Sequence, residues 1–109
     1  MSKIRAFSVN APTLLITAGT TASTPVALPN VGASVRLCNT GANIVYVHLA
    51  PAPVPVVATL PGASFSNTCL PVLPGEDAIF FKGNATDWNI SAITSTGTSG
   101  LLVSVGEGI

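Results

Sequence analysis

The stretch RLCNTGANIVYVHLAPAP (Arg36–Pro53) decides the fold class. A polar, Gly-bearing turn, Asn39–Asn43, separates two runs that alternate with the two-residue period of a β-strand. Before the turn, Val35 and Leu37 share one face, and Arg36 and Cys38 the other. After it, Val45, Val47 and Leu49 form a purely aliphatic set, which belongs in a core. The opposite set, Ile44, Tyr46 and His48, carries no full charge either. The spacing predicts a β-hairpin across NTGAN, with a second face that needs cover of its own.

The same signals recur along the chain. Nine prolines and ten glycines interrupt it every few positions, and no i, i+3, i+4, i+7 stripe is sustained. Short runs rich in Val, Ile, Leu and Thr remain. Strands are predicted at Ile4–Val9, Thr13–Ala18, Val26–Leu28, Ser34–Asn39, Ile44–Ala50, Ala78–Lys82, Trp88–Ile93 and Leu101–Val105. This is the pattern of an all-β protein, a small antiparallel β-sandwich. A length of 109 residues suits a single domain, with a possible N-terminal arm at 1–10 and a Pro-rich loop at 51–75.

That loop holds Pro51, Pro53, Pro55, Pro61, Pro71 and Pro74, so a central strand is not expected there. Two roles fit its stiff apolar residues, Val54, Val56, Val57 and Leu60. It can lie against a neighbouring subunit at little entropic cost, or fold over its own sheet edge. "LPGED" (Leu73–Asp77) reads as a type II turn leading into a strand with Phe80 and Phe81 on opposite faces.

Charge narrows the function classes. Charged residues are 7% of the chain and the net charge is zero. Ala6–Val35 and Leu37–Gly75 contain no Asp, Glu, Lys or Arg. Basic patches for nucleic acid or anionic membrane are missing, and no apolar run is long enough for a spanning helix. Ser8, Asn10 and Pro12 break up a signal-peptide core after Lys3 and Arg5, so the N-terminus reads as mature sequence. A surface with so few ions suits a subunit that works in an assembly. Cys38 and Cys69 read as free thiols of a reducing cytosol, with a disulfide as the alternative.

Chemistry is sparsely represented. His48 is the sole histidine, and no nucleophile-elbow motif marks any serine. Glu76 and Asp77 are adjacent, so a strand would point them apart. No metal-ligand spacing and no phosphate-binding glycine pattern occurs. The expectation is a non-enzyme without cofactor or metal. Trp88 follows a turn and has three readings: a cap on the core, an anchor for a partner, or a stacking platform for a glycan.

The motifs Val35–Gly41, Val45–Val47, Pro71–Asp77, Ile90–Ile93, Gly100–Val105 and Gly106–Ile109 together resemble those of small head proteins of tailed bacteriophages. The resemblance runs from Val35 onward. It implies a jelly-roll-like virion protein, a capsid decoration or cement protein. Such a protein binds across major capsid protein subunits on the capsid exterior, is made in the host cytoplasm, and associates with itself as a dimer or trimer. The expected contact residues are Ile44, Tyr46, His48, Val54, Val56 and Val57, with Lys3 and Arg5 meeting an acidic capsid surface or belonging to a plain edge strand. The alternative is a receptor- or carbohydrate-binding module of a tail or fibre. A hydrolase using His48 as base is a third reading; it would require a Ser and an Asp within reach of that ring.

Overall fold

The computed structural model describes residues 8–9, 12–29, 32–51, 57–63, 69–81 and 87–107. They form the strands β1 (Ser8–Val9), β2 (Leu14–Ala18), β3 (Val26–Ala27), β4 (Ser34–Asn39), β5 (Val45–Pro51), β6 (Leu70–Val72), β7 (Asp77–Phe81), β8 (Trp88–Thr94) and β9 (Ser99–Glu107). All pairings among them are antiparallel.

Two sheets result. The front sheet has the order β1-β9-β4-β7, with β2 on the same edge of β9 as β1; the back sheet has the order β3-β8-β5-β6. With β1 and β2 taken as one interrupted strand, β2 pairs with β9, β3 with β8, β4 with β7, and β5 with β6. That is one long antiparallel ribbon rolled on itself, closed by the β4–β9 and β5–β8 ladders. The protein is a β-sandwich with the strand order of a jelly roll.

The alternation read from the sequence explains the packing. Val35 and Leu37 of β4 face Val45 and Val47 of β5 across the interior, joined by Ile16, Ala18, Val72, Ile90, Ala92, Leu101, Val103 and Val105 in one buried cluster. Each Val, Leu or Ile among them contributes roughly 1.5–3 kcal/mol on burial, the dominant favourable term for this fold.

One expectation is corrected. NTGAN does not close a hairpin, because β4 lies in the front sheet and β5 in the back sheet. The turn is an arch between the layers. Alternation is satisfied either way, since each strand points its aliphatic set at the same interior; the side chain of Asn39 makes the difference. Fully buried, it accepts hydrogen bonds at Oδ1 from Gly41 N (3.0 Å) and Ser99 Oγ (2.7 Å). Its Nδ2 donates to the carbonyls of Asn43 (2.7 Å) and Val72 (2.8 Å). Both donors and both lone pairs of the amide are used, so a buried polar group sits in the core without penalty. The network bends the chain from one sheet to the other.

The strand β6 was not anticipated from the Pro-rich segment. It is short and lies at the sheet edge with Pro71 opposite Tyr46, a position where a missing N–H is tolerated. The turn before β7 has the expected form: Glu76 N donates to Leu73 O (3.0 Å), and Gly75 at φ 75° follows Pro74.

Candidate interaction surfaces

The back sheet answers the question raised by Ile44, Tyr46 and His48. All three are half-buried, and Tyr46 and His48 point away from the core. Part of their cover is the chain itself. His48 Nδ1 donates to the carbonyl of Val57 (3.2 Å), and the next residue, Ala58, is buried and donates its N–H to Ser91 Oγ (3.0 Å). Ser91, cross-strand neighbour of His48, donates in turn to Ser23 O (2.8 Å). Ser23 also binds the backbone of Ala92, accepting at Oγ and donating from N. Thus the end of the Pro-rich segment covers the outer face of β8, and the β2–β3 connection runs along its edge beside β3. Ser91 and Ile93 on the outer face are buried as a result, although β8 is in a two-layer sandwich.

The remaining expected contact residues are divided. Val57 is exposed (53%). Val54, Val56, Lys3 and Arg5 lie outside the described residues. Of the arm, Ser8–Val9 forms β1 and pairs with Glu107 and Gly106 at the edge of the front sheet.

Trp88 is half-buried against the core, with its ring edge-on to Phe80 at 5.4 Å between centroids. The contact joins β7 of the front sheet to β8 of the back sheet, closing one end of the sandwich. Its Nε1 is buried without a hydrogen-bond partner among the described residues. His48 is not joined to a carboxylate among the described contacts: Asp77 is on the opposite sheet, held by Arg36. No group of three or more His, Cys, Asp or Glu side chains converges among the described residues. Cys38 and Cys69 are both free thiols.

The front sheet shows what the sequence did not. Its core face is filled by Ile16, Leu101, Val103, Val35 and Leu37, so the alternate residues face out. Register places Leu15, Leu102, Cys38 and Asp77 side by side across four strands, with Ser104, Arg36 and Ile79 in the neighbouring row. Leu15 (59%) and Ile79 (38%) are exposed. Thr13 and Ser104 share a hydroxyl hydrogen bond of 3.0 Å at the margin. The ions on this face neutralise each other. The Arg36 guanidinium binds Asp77, and the Cys38 thiol is the cross-strand neighbour of that carboxylate. The Arg36 hydrogen bond holds the Asp77 carboxyl below its ordinary range; the Asp77 hydrogen bond, followed by burial, pushes the Cys38 thiol up.

No single run marks this face in the sequence, because Leu15, Leu102 and Ile79 stand far apart in the chain. The available signal was that Leu15 and Leu102 each directly adjoin a residue of the alternating core set, which leaves one of each pair facing out.

No family model matches the chain, and no curated protein or solved structure matches it. What is defined is the class, a jelly-roll β-sandwich whose front outer face sets exposed Leu15 and Ile79 beside a neutralised ion pair.

Proposed function

We propose that this protein is a structural subunit of a virus particle, a decoration or cement protein that binds across major capsid protein subunits on the outside of a phage head. The jelly roll serves capsid proteins and lectins alike, so fold leaves the choice open and the surface carries it. The observation that supports the reading is the outer face of the front sheet: Leu15, Leu102 and Ile79 grouped around an ion pair that is already satisfied. An ion pair costs less to cover than an unpaired charge would, and the apolar area of the leucines and Ile79 offsets its desolvation. Many weak copies on one shell add up by avidity. The face around Tyr46, His48 and Val57 is the second candidate contact. The edge-on seating of Trp88 on Phe80 weighs against a sugar-stacking platform.

The test is binding of the purified protein to heads that lack it, followed by sedimentation. Leu15→Glu and Leu102→Lys should leave a folded protein that no longer sediments with heads. Heads that never retain the wild-type protein would end this reading. Glycan binding that disappears in Trp88→Ala would replace it with the carbohydrate-binding one.

A further inference from the structure

We infer that β7 is a self-pairing edge, through which two copies of this chain join their front sheets into one continuous sheet. The argument starts from hydrogen-bond phase. Asn39 N donates to Glu76 O (3.1 Å), next to the Cys38–Asp77 pair in the β4–β7 register. Antiparallel alternation then makes Leu37–Ala78 and Val35–Phe80 the pairs that exchange hydrogen bonds. The N–H and C=O groups of Ala78 and Phe80 are thus turned to β4. Those of Asp77, Ile79 and Phe81 point to the free edge, where no strand pairs with them among the described residues.

The other edges are interrupted. β6 contains Pro71, and β3 has two residues between Pro25 and Pro29. The β1–β2 edge is broken by Pro12, and its chain leaves the front sheet at Gly19, whose carbonyl accepts from Thr94 of the back sheet. Prolines and short strands are the usual guards against edge pairing. β7 has neither, being five residues of proline-free strand with Ile79 exposed at its centre; β2 is as long and proline-free, and only the charge pattern of its sequence separates the two, so Thr17→Pro on β2 is the control.

The occupant follows from charge and symmetry. The sequence around β7 is EDAIFFK, acidic where it begins and basic where it ends. An antiparallel pairing centred on Ile79 brings the acidic end of one copy to the basic end of the other. In that register every outward N–H and C=O of Asp77, Ile79 and Phe81 finds a partner in the second copy. Asp77 falls opposite Phe81, so the two Asp77 carboxylates stay apart, each still bound to its own Arg36. The arrangement is a closed two-fold contact, and it sets the outer faces bearing Leu15, Leu102 and Ile79 side by side.

The experiment uses the full chain in solution, without shells, so its outcome is separate from that of head binding. Sedimentation equilibrium should show a dimer, with the amides of Ile79 and Phe81 protected from hydrogen exchange. Ile79→Pro removes an outward N–H and no β4–β7 hydrogen bond, and should give a folded monomer by circular dichroism. If that variant fails to fold, Ile79→Lys decides, since it sets two like charges face to face at the axis. Ile79→Cys in a Cys38→Ser, Cys69→Ser background should oxidise to a covalent dimer, because paired residues there sit about 5.5 Å apart between Cα atoms. A monomeric wild type overturns the inference. So does a folded Ile79 variant that stays associated, including one separated instead by Thr17→Pro on β2.

Discussion

Ser99 Oγ donates a 2.7 Å hydrogen bond to Asn39 Oδ1 across sixty positions of chain. That bond ties the start of β9 to the end of β4, while the other half of the same amide binds Val72 of the back sheet. Both layers are therefore held at one buried side chain.

Asn39→Ala should cost about 2–4 kcal/mol, because it strands Val72 O and Ser99 Oγ in the interior as well as removing the amide. Urea unfolding monitored by fluorescence gives the number. Asn39→Asp should do no better, since a carboxylate would face the carbonyls of Asn43 and Val72. A loss below about 0.5 kcal/mol in Asn39→Ala would show that the arch is held elsewhere.

Gly41 is small because β9 passes close to it. A Cβ there would lie 2.0 Å from Ser99 Oγ and 2.7 Å from Ser99 Cα. The Ser99 hydroxyl has rotameric freedom but the Cα does not, so Gly41→Ala should destabilise by about 1–3 kcal/mol. Its melting temperature should fall, and Ser99→Ala should not restore it.

Neighbouring residues on β5 should respond differently. Val47 is 1% exposed in the core, and Val47→Asp should cost about 4 kcal/mol or more and unfold the domain, because no partner exists there for a carboxylate. Tyr46 is half-buried on the outer face between Pro71 and Ile93, and Tyr46→Asp should cost about 1–2 kcal/mol and leave the sandwich folded. Equal unfolding of the two, measured by circular dichroism, would mean that the outer cover is as important as the core.

Acid should weaken the front sheet through Asp77. Its folded-state pKa is depressed by the Arg36 hydrogen bond, so its contribution is complete above the unfolded carboxylate value and is lost as pH falls through the lower folded value. Cys38 has the opposite sign. Its raised pKa favours the neutral thiol, a contribution complete below the unfolded thiol value and lost as pH rises through the folded one. Asp77→Asn should flatten the acid limb of stability against pH. In a Cys69→Ser background it should also speed alkylation of Cys38 at fixed pH, since the thiolate is no longer opposed. An unchanged alkylation rate would show that Asp77 does not govern the thiol.

The amino-acid sequence by itself determined the class and most of the strands. Period-two alternation with Gly and Pro punctuation is a local property, and β4 lies at Ser34–Asn39 where that pattern put it. It also determined which side of β5 is core, because Val45 and Val47 can be buried only together. Only the tertiary structure decided which strands share a sheet. An arch and a hairpin impose the same alternation on their flanking strands, and the choice between them lies in the hydrogen bonds of Asn39 to residues as distant as Val72 and Ser99. The outer faces were decided the same way. His48 is met by Val57 and its neighbour Ser91 by Ala58, which gives that side of the sheet part of the cover the sequence called for, while Leu15 and Ile79 stay exposed beside a half-buried Leu102 on a face that exists only once register aligns them. Burial of a residue depends on what packs above it, and for a sheet that neighbour comes from a distant part of the chain.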